Sequence, residues 1–201
     1  MEKQVKEKNE LWEWTKALLI AFAIAAIIRY FLFTPIAVDG ESMMPTLENG
    51  DRMIVNKIGY KISEPERFDI VVFHAPEQKN YIKRVIGLPG DTLEYKNDQL
   101  YINGEPIDEP YLDAYKSQIT EGTLTEDFTL KDIDVSLDNG IPEGYVFVMG
   151  DNRRYSKDSR HIGLVDQKEI IGNTSLIFWP FSDIKIVKER MKGRSNTPFF
   201  F

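Results

Sequence analysis

The chain has 201 residues, of which 42% are hydrophobic and 28% are charged, and this is enough for one folded domain with an anchor but not for two large domains. Its net charge of -7 at pH 7, without a cluster of Lys and Arg, argues against a nucleic-acid partner. With no cysteine and two histidines, the chain has no disulfide framework and few ligands for a zinc site. We therefore expect no metal and no cofactor.

An apolar segment near the N-terminus predicts a single transmembrane helix over residues 17–34. Every residue from Ala17 to Ile28 is uncharged, and apolar residues resume after Arg29. The run is at the short end of what spans ~30 Å of hydrocarbon, with Arg29 reaching toward the outer interface. Four lysines precede it and no basic residue follows Arg29 for more than twenty positions. The positive-inside rule therefore places residues 1–16 in the cytoplasm and residues 35–201 outside the cell membrane.

Two other interpretations of this segment are open. A cleavable signal peptide also has a short apolar stretch behind lysines, but no A-x-A cleavage pattern follows this one. A helix buried in the core of a soluble domain is the second alternative.

Beyond the anchor, eight short segments rich in Val, Ile, Phe and Tyr have the pattern of strands and are separated by turn signals. They are Arg52–Ile58, Phe68–His74, Tyr81–Ile86, Thr92–Lys96, Leu100–Asn103, Tyr145–Met149, Glu169–Trp179 and Ile184–Val187. No second long helical period appears, so the domain is predicted to be mostly β, with an antiparallel sheet. Thr92 to Asn103 should form a hairpin.

The segment 105–143 differs from the rest in charge, because it holds eleven acidic residues and only two lysines. We interpret it as an acidic insertion that packs on the β core. We expect it to be a solvent-exposed surface segment with no catalytic role.

Three polar segments hold the candidate catalytic residues. Gly, Pro and small residues surround Ser42, and such a loop can expose a hydroxyl and direct a backbone N–H at an oxyanion. Lys83 shares a strand face with Tyr81 and Val85, where burial lowers the pKa of an ammonium group toward neutrality. The turn from Gly150 to Arg160 offers hydroxyls, carboxylates and guanidinium groups that can hold a neutral lysine. Each segment alone is also typical of an ordinary turn or strand.

Taken together, the three segments resemble the type I signal peptidase family, in its single-span, Gram-positive form. The likeness covers the anchor and, in the family's order, Ser42 to Thr46, Lys83 to Asp91 and Gly150 to Arg160. It implies a membrane-bound serine endopeptidase that removes N-terminal signal peptides from exported preproteins, cutting after small residues. Secretory preproteins and the lipid bilayer are then the expected partners.

The resemblance also implies roles for individual residues. Ser42 attacks the scissile carbonyl while neutral Lys83 takes its proton. Such a Ser-Lys dyad is a variant of the Ser-His-Asp catalytic triad. Ser156 is expected to hydrogen-bond the Lys83 amine, and Asp158 and Arg160 are expected to brace the site.

Position 40 departs from part of the family. The Ser42 N–H is expected to supply one oxyanion donor, and some relatives supply a second from a serine two positions before the nucleophile. This chain has Gly40 there, so its own N–H or a water is left as the second donor.

Substrate is expected to bind extended, as an added strand, with small side chains in shallow pockets. By motif position, the candidates for lining these pockets are Val38, Met43, Leu47, Tyr81 and Ile82.

Other functions fit fewer residues. A Ser-His-Asp hydrolase would have to use His74 or His161, each of which also fits a structural role. The Ser-x-x-Lys pattern of penicillin-binding enzymes occurs from Ser182 to Lys185, but without a following helix or a Lys-Thr-Gly partner. Self-cleaving repressors share the dyad but carry a DNA-binding domain. A membrane-tethered β domain that binds peptides without cutting them stays open.

Overall fold

The computed structural model describes residues 10–31, 33–57, 63–76, 79–181 and 184–186. A long helix, α1 (Glu10–Phe31), comes first, and its apolar side chains from Leu11 to Ile24 are exposed, with Phe22 at 76%. The helix begins before the predicted residue 17 and ends before the predicted residue 34. Within the described ranges, no helix has both the length and the apolar character that crossing a membrane requires.

Twelve strands in the described part of the chain form two antiparallel sheets. The strands are β1 (Phe33–Ala37), β2 (Arg52–Asn56), β3 (Ile70–His74), β4 (Asn80–Gly87), β5 (Leu93–Lys96), β6 (Gln99–Ile102), β7 (Glu105–Ile107), β8 (Phe128–Thr129), β9 (Tyr145–Met149), β10 (Val165–Asp166), β11 (Ile170–Trp179) and β12 (Lys185–Ile186). The larger sheet has the order β1-β2-β11-β3-β4-β9-β10, with β12 also on β11, and the smaller has the order β7-β6-β5-β8. The prediction of a mostly β, antiparallel domain is confirmed.

Each of the eight predicted segments contains a strand, while Ile58 and Val187 lie outside the described residues. The strands missed are β1, β7, β8 and β10. β8 and β10 have two residues each, too few for an alternating pattern. β1 follows directly on the apolar segment and contains Pro35, which is tolerated because β1 is an edge strand.

The predicted hairpin is present as β5 and β6, which pair from Leu93↔Ile102 to Lys96↔Gln99. Asn97 and Asp98 connect them with φ of 51° and 63°. Two successive left-handed residues are typical of the tight turn that matches the twist of a hairpin.

The acidic segment 105–143 packs on the β core, through β7, β8 and the short helices α2 (Asp113–Lys116) and α3 (Leu130–Ile133). Its buried side chains Leu112, Leu124 and Leu130 belong to the same apolar cluster as Phe147 of β9. The segment therefore completes part of the core and is more than a solvent-exposed surface segment.

The larger sheet brings the three polar segments together. The loop between β1 and β2 is closed at its base, where Val38 N donates to Asp51 O at 2.8 Å and Gly50 N donates to Val38 O at 2.9 Å. β4 pairs with β9 from Arg84↔Met149 onward. The turn that follows β9 leads into the short helix α4 (Ser159–Ile162) and lies beside the first half of β4.

Candidate active site

Ser42 lies on a loop whose neighbouring apolar side chains are anchored in the core. Met43 and Leu47 are 2% and 1% exposed and pack with Met53 and Ile70. Leu47 N donates to Met43 O at 2.9 Å, which turns the chain immediately after Ser42. This anchoring leaves Ser42 at the wall of a cleft.

Lys83 reaches Ser42 from β4. Its Nζ lies 2.6 Å from Ser42 Oγ and donates to Ile82 O at 3.0 Å. The residue is 3% exposed, and Nζ is 5.2 Å from the centre of the Tyr81 ring. Two residues that are 41 positions apart in the sequence are therefore within hydrogen-bond distance.

Burial lowers the pKa of Lys83 from 10.5 to about 8. Asp158 and Asp151 act against this change by raising the pKa, and Arg160 lowers it. Both carboxylates are themselves paired with arginines. In the described part of the chain the Lys83 amine has uncharged hydrogen-bond partners, Ser42 Oγ and Ile82 O. At pH 7 roughly a tenth of the Lys83 side chains are neutral.

The turn after β9 holds the Ser42 loop through main-chain contacts. Asn152 N donates to Ser42 O at 3.1 Å, and Asn152 Nδ2 donates to Glu41 O at 3.1 Å. A Cβ at Gly150 would overlap both the Ser42 carbonyl and Ser156 Oγ. Glycine is required here because the two segments approach so closely.

Asp158, which is buried, and Arg160, which is partly buried, form an ion pair beside the turn. Arg160 Nε donates to Asp158 Oδ1 and Arg160 Nη2 to Asp158 Oδ2, both at 2.8 Å, and Gly150 N donates to Oδ2 at 3.0 Å. Burial raises the pKa of Asp158, but hydrogen bonds from Arg160, the Gly150 N–H and Ser156 lower it by more than burial raises it, and the net result is a lowered pKa. The carboxylate is therefore ionised and fixed in place.

Sequence reasoning missed a second buried pair, which joins all three polar segments. Arg84 binds Asp151 through two hydrogen bonds, Nε to Oδ1 at 2.9 Å and Nη2 to Oδ2 at 2.6 Å. Thr46 Oγ1 donates to Asp151 Oδ2 at 2.5 Å. The available signal was the alternation of β4, which places Arg84 on the face opposite Lys83 in an otherwise apolar strand.

Ser156 does not form the hydrogen bond to Lys83 that the resemblance implies. The residue is 6% exposed, and its Oγ lies close enough to the Asp158 carboxylate to lower the pKa of that group, but no hydrogen bond joins it to Lys83. The hydroxyl is packed against Gly150, while the Lys83 amine is directed to Ser42 and the Ile82 carbonyl. The expected contact is wrong for this conformation.

Gly40 does not offer a second oxyanion donor. Its N–H donates to Asn49 Oδ1 at 3.0 Å, within the same loop, so the suggestion that this N–H replaces the missing serine is contradicted. Its φ of +106° is one that glycine adopts without strain. By contrast, the Ser42 N–H has no acceptor in the described part of the chain.

Ser42 and Lys83 lie in a cleft of about 530 Å³, and Val38, Met43, Tyr81 and Ile82 line it, as predicted by motif position. Leu47 does not, because it lies one turn after Met43 and points into the core. Lining residues that were not predicted are Ile36, Ala37, Asp39, Glu41, Val72, Asn80, Tyr155 and Lys157. Ile36 and Ala37 were missed with β1 itself.

The residues of the competing hydrolase interpretations lie elsewhere. The His74 ring contacts Asn80 Oδ1 at 3.0 Å and is exposed, and His161 belongs to α4. Neither histidine lines the cleft that holds Ser42. Ser182 lies outside the described residues.

Comparison with known proteins gives consistent matches. Residues 11–179 match the family described as signal peptidase, peptidase S26. The chain is 48% identical over 181 residues to signal peptidase I of Bacillus caldolyticus, covering 90% of this chain and 96% of that protein. It is 49% identical over 180 residues to signal peptidase IB of Staphylococcus aureus, covering 89% and 94%. A crystal structure of a signal peptidase I from Enterococcus faecalis V583 superposes with a TM-score of 0.52 and 43% identity, over 55% of this chain and 97% of that one.

Proposed function

Because the chain belongs to the signal peptidase S26 family, we propose that it is a membrane-bound serine endopeptidase that removes N-terminal signal peptides from exported preproteins. In this proposal Ser42 is the nucleophile and Lys83 the general base, with Asp158, Arg160 and Ser156 as supporting residues. The observation that carries it is the 2.6 Å distance from Lys83 Nζ to Ser42 Oγ, with the amine buried among uncharged partners.

Acylation of the enzyme is the first step. Ser42 Oγ bonds to the scissile carbonyl carbon as its proton passes to the neutral Lys83 amine. Negative charge develops on the carbonyl oxygen, and in this proposal the Ser42 N–H donates to it. When the C–N bond breaks, the Lys83 ammonium gives the proton to the leaving amine of the mature protein. Ser42 is then an ester and Lys83 is neutral again.

Deacylation uses the same base in a second cycle. A water oxygen bonds to the acyl carbon while its proton passes to Lys83. Collapse breaks the bond to Ser42 Oγ, and the lysine returns the proton to that oxygen. The signal peptide leaves with a free carboxyl group, and one amine therefore serves both half-reactions.

The cleft supports binding of an extended peptide. β1 is an edge strand. β4 is paired with β9 only from Arg84 onward, so β1 and the first half of β4 both bring unpaired main-chain edges to the cleft. A peptide placed between them adds as a strand. Val38 and Met43 are fixed in the core by burial at 5% and 2% exposure, and the space beside them suits small side chains.

Attachment to the membrane is the part of the proposal that α1 carries. Leu18, Leu19 and Phe22 are 68%, 63% and 76% exposed, and lipid would cover such a surface. We retain residues 17–34 as the anchor, 1–16 as the cytoplasmic end and 35–201 as the extracytoplasmic catalytic domain.

Cleavage of a secretory precursor by the full-length protein in detergent tests the function. Ser42→Ala and Lys83→Ala should each reduce the rate by at least about 10³-fold, with unchanged far-UV circular dichroism. Alkaline extraction of membranes from cells that express the full-length protein should leave the parent chain in the membrane fraction. Release there would refute the anchor.

A peptide-binding domain without activity is the alternative. It predicts that the parent protein binds the precursor and leaves it intact. Equal cutting by the parent and both variants would instead assign the cleavage to another protein, and the proposal would fail.

A further inference from the structure

A buried ionic cluster joins the acidic segment 105–143 to the turn after β9. The side chains of Arg153 and Glu109 are 0% and 1% exposed, and Arg153 Nη2 lies 2.6 Å from Glu109 Oε1. The same oxygen accepts hydrogen bonds from the hydroxyls of Tyr95 at 2.8 Å and Tyr111 at 2.6 Å. None of the three segments that carry the family resemblance contains Glu109.

The cluster is poorly built for stability alone. Glu109 Oε2 and Arg153 Nε are buried and have no hydrogen-bond partner among the described residues. Apolar residues of similar volume often replace a buried ion pair with no loss of stability, whereas an ion pair also fixes a geometry. The Glu109–Arg153 pair leaves two buried polar atoms without partners among the described residues, and a role in fixing the positions of neighbouring residues accounts for it better than stability does.

One connection from this pair to the site runs through the main chain of Arg153. Arg153 O accepts a hydrogen bond from Arg160 Nη2 at 2.7 Å. The same guanidinium holds both oxygens of Asp158, and Asp158 raises the pKa of Lys83. Movement of Arg153 would therefore shift the arginine that neutralises this carboxylate.

A second connection runs through Tyr111. Its ring lies under the Arg84 guanidinium, with 3.9 Å from the ring centre to Cζ, while its hydroxyl is held by Glu109. Arg84 in turn binds Asp151, the other carboxylate that acts on Lys83. Glu109 thus contacts Arg153 and Tyr111, which in turn contact Arg160 and Arg84, the arginines bound to the two carboxylates.

We propose that Glu109 is a positioning residue for the Ser42–Lys83 site, holding Arg153 and Tyr111 so that Arg160 and Arg84 keep Asp158 and Asp151 in place. Through it, the acidic segment takes part in the activity. The inference rests on the proposed function, since its effect is read in the rate of peptide cleavage.

Steady-state cleavage of a precursor by full-length Glu109→Gln tests this inference. We expect kcat at pH 8 to fall about 10- to 100-fold, with KM changed less than about 2-fold, because the cleft is lined by β1, β4 and the Ser42 loop. The charged groups acting on Lys83 are Asp158, Asp151 and Arg160. Weaker neutralisation of the two carboxylates should move the midpoint of the rate against pH upward.

Leu137→Ala is the matched control. Leu137 is a buried core residue of the same acidic segment, so its truncation should lower the melting temperature without shifting kcat or the pH midpoint. The conservative variant Glu109→Asp keeps the charge and should keep the parent midpoint. If Glu109→Gln loses stability but keeps the parent kcat and midpoint, the cluster is only structural and the inference is wrong.

A milder variant covers the case in which Glu109→Gln does not fold. Tyr111→Phe removes one hydroxyl from the cluster and should shift kcat and the midpoint in the same directions by a smaller amount. Parent values in that variant would overturn the inference. Cleavage that survives Ser42→Ala would instead overturn the proposed function, and the two failures are therefore distinguishable.

Discussion

Lys83 and Arg84 are consecutive residues of β4, and their buried cations have opposite surroundings. Arg84 is 1% exposed and is bound by both oxygens of Asp151. Lys83 is 3% exposed, but its amine has uncharged partners, Ser42 Oγ and Ile82 O. Strand alternation separates the two environments by a single residue.

The difference separates a structural role from a chemical one. A cation paired with a buried carboxylate keeps its proton, and the pair links β4 to the turn after β9 and to Thr46 of the Ser42 loop. A cation held among neutral groups is destabilised by desolvation, and its pKa falls toward the pH at which a base operates. The fold thus uses one buried charge to fix the segments, and in the proposed function the next one reacts.

Removing the partner of Arg84 is expected to have the largest effect. Asp151→Asn leaves a buried guanidinium without a compensating charge, which should lower the free energy of unfolding by about 3–5 kcal/mol. Asp138→Asn is the matched control, because it removes an ion pair whose side chains are 58% and 59% exposed and should cost less than about 1 kcal/mol. Denaturant titration of the full-length proteins in detergent measures both. Equal losses would refute the contrast between the two pairs.

The pH dependence of cleavage tests the other half of the comparison. The base must be neutral, so the rate should rise with pH through the Lys83 pKa of about 8 and lie about 100-fold below its plateau at pH 6. The charges acting on the amine are Asp158, Asp151 and Arg160. A rate that declines only below about pH 5 would point to a carboxylate and exclude Lys83 as the base.

Replacing Lys83 by an apolar residue is expected to give the smallest effect, and a gain in stability. The folded-state pKa of about 8 lies below the ordinary 10.5, so the folded state binds fewer protons between these values and the parent gains stability as pH rises through them. Lys83→Met should be more stable than the parent by about 1–3 kcal/mol at pH 6, with the difference vanishing near pH 10.5. Ser42→Ala should keep the parent's pH dependence. A Lys83→Met variant that is less stable at pH 6 would mean that the buried amine stabilises the fold.

The sequence was sufficient for eight of the twelve described strands and for the three polar segments that meet at the cleft, because these follow from local patterns. Alternation in β4 gave the faces of Lys83 and its neighbours, and the turn signals gave the hairpin. The contact between Ser42 and Lys83 depends on sheet order, which periodicity does not specify. Only the resemblance to the signal peptidase family, carried by the three polar segments and their order, suggested it.

Contacts that depend on tertiary structure were missed or wrongly predicted. Glu109 is one of eleven acidic residues in its segment, and nothing local marks it as the buried one. Leu47 was assigned to the cleft because it lies in the Ser42 segment, but one turn of chain directs it into the core. The Gly40 N–H was left available because the Asn49 side chain that accepts it is nine positions away.

The pairing of β4 has a consequence for turnover. Before β9 joins at Arg84, β4 offers four residues, Asn80 to Lys83, a length of about 14 Å. So short an edge provides a handful of main-chain hydrogen bonds, each contributing about 1 kcal/mol net. If a substrate pairs with this edge, as proposed, we expect the severed peptide to be released quickly. Main-chain hydrogen bonds do not depend on side-chain identity, so the proposed binding mode predicts that peptides of unrelated sequence can use the same edge.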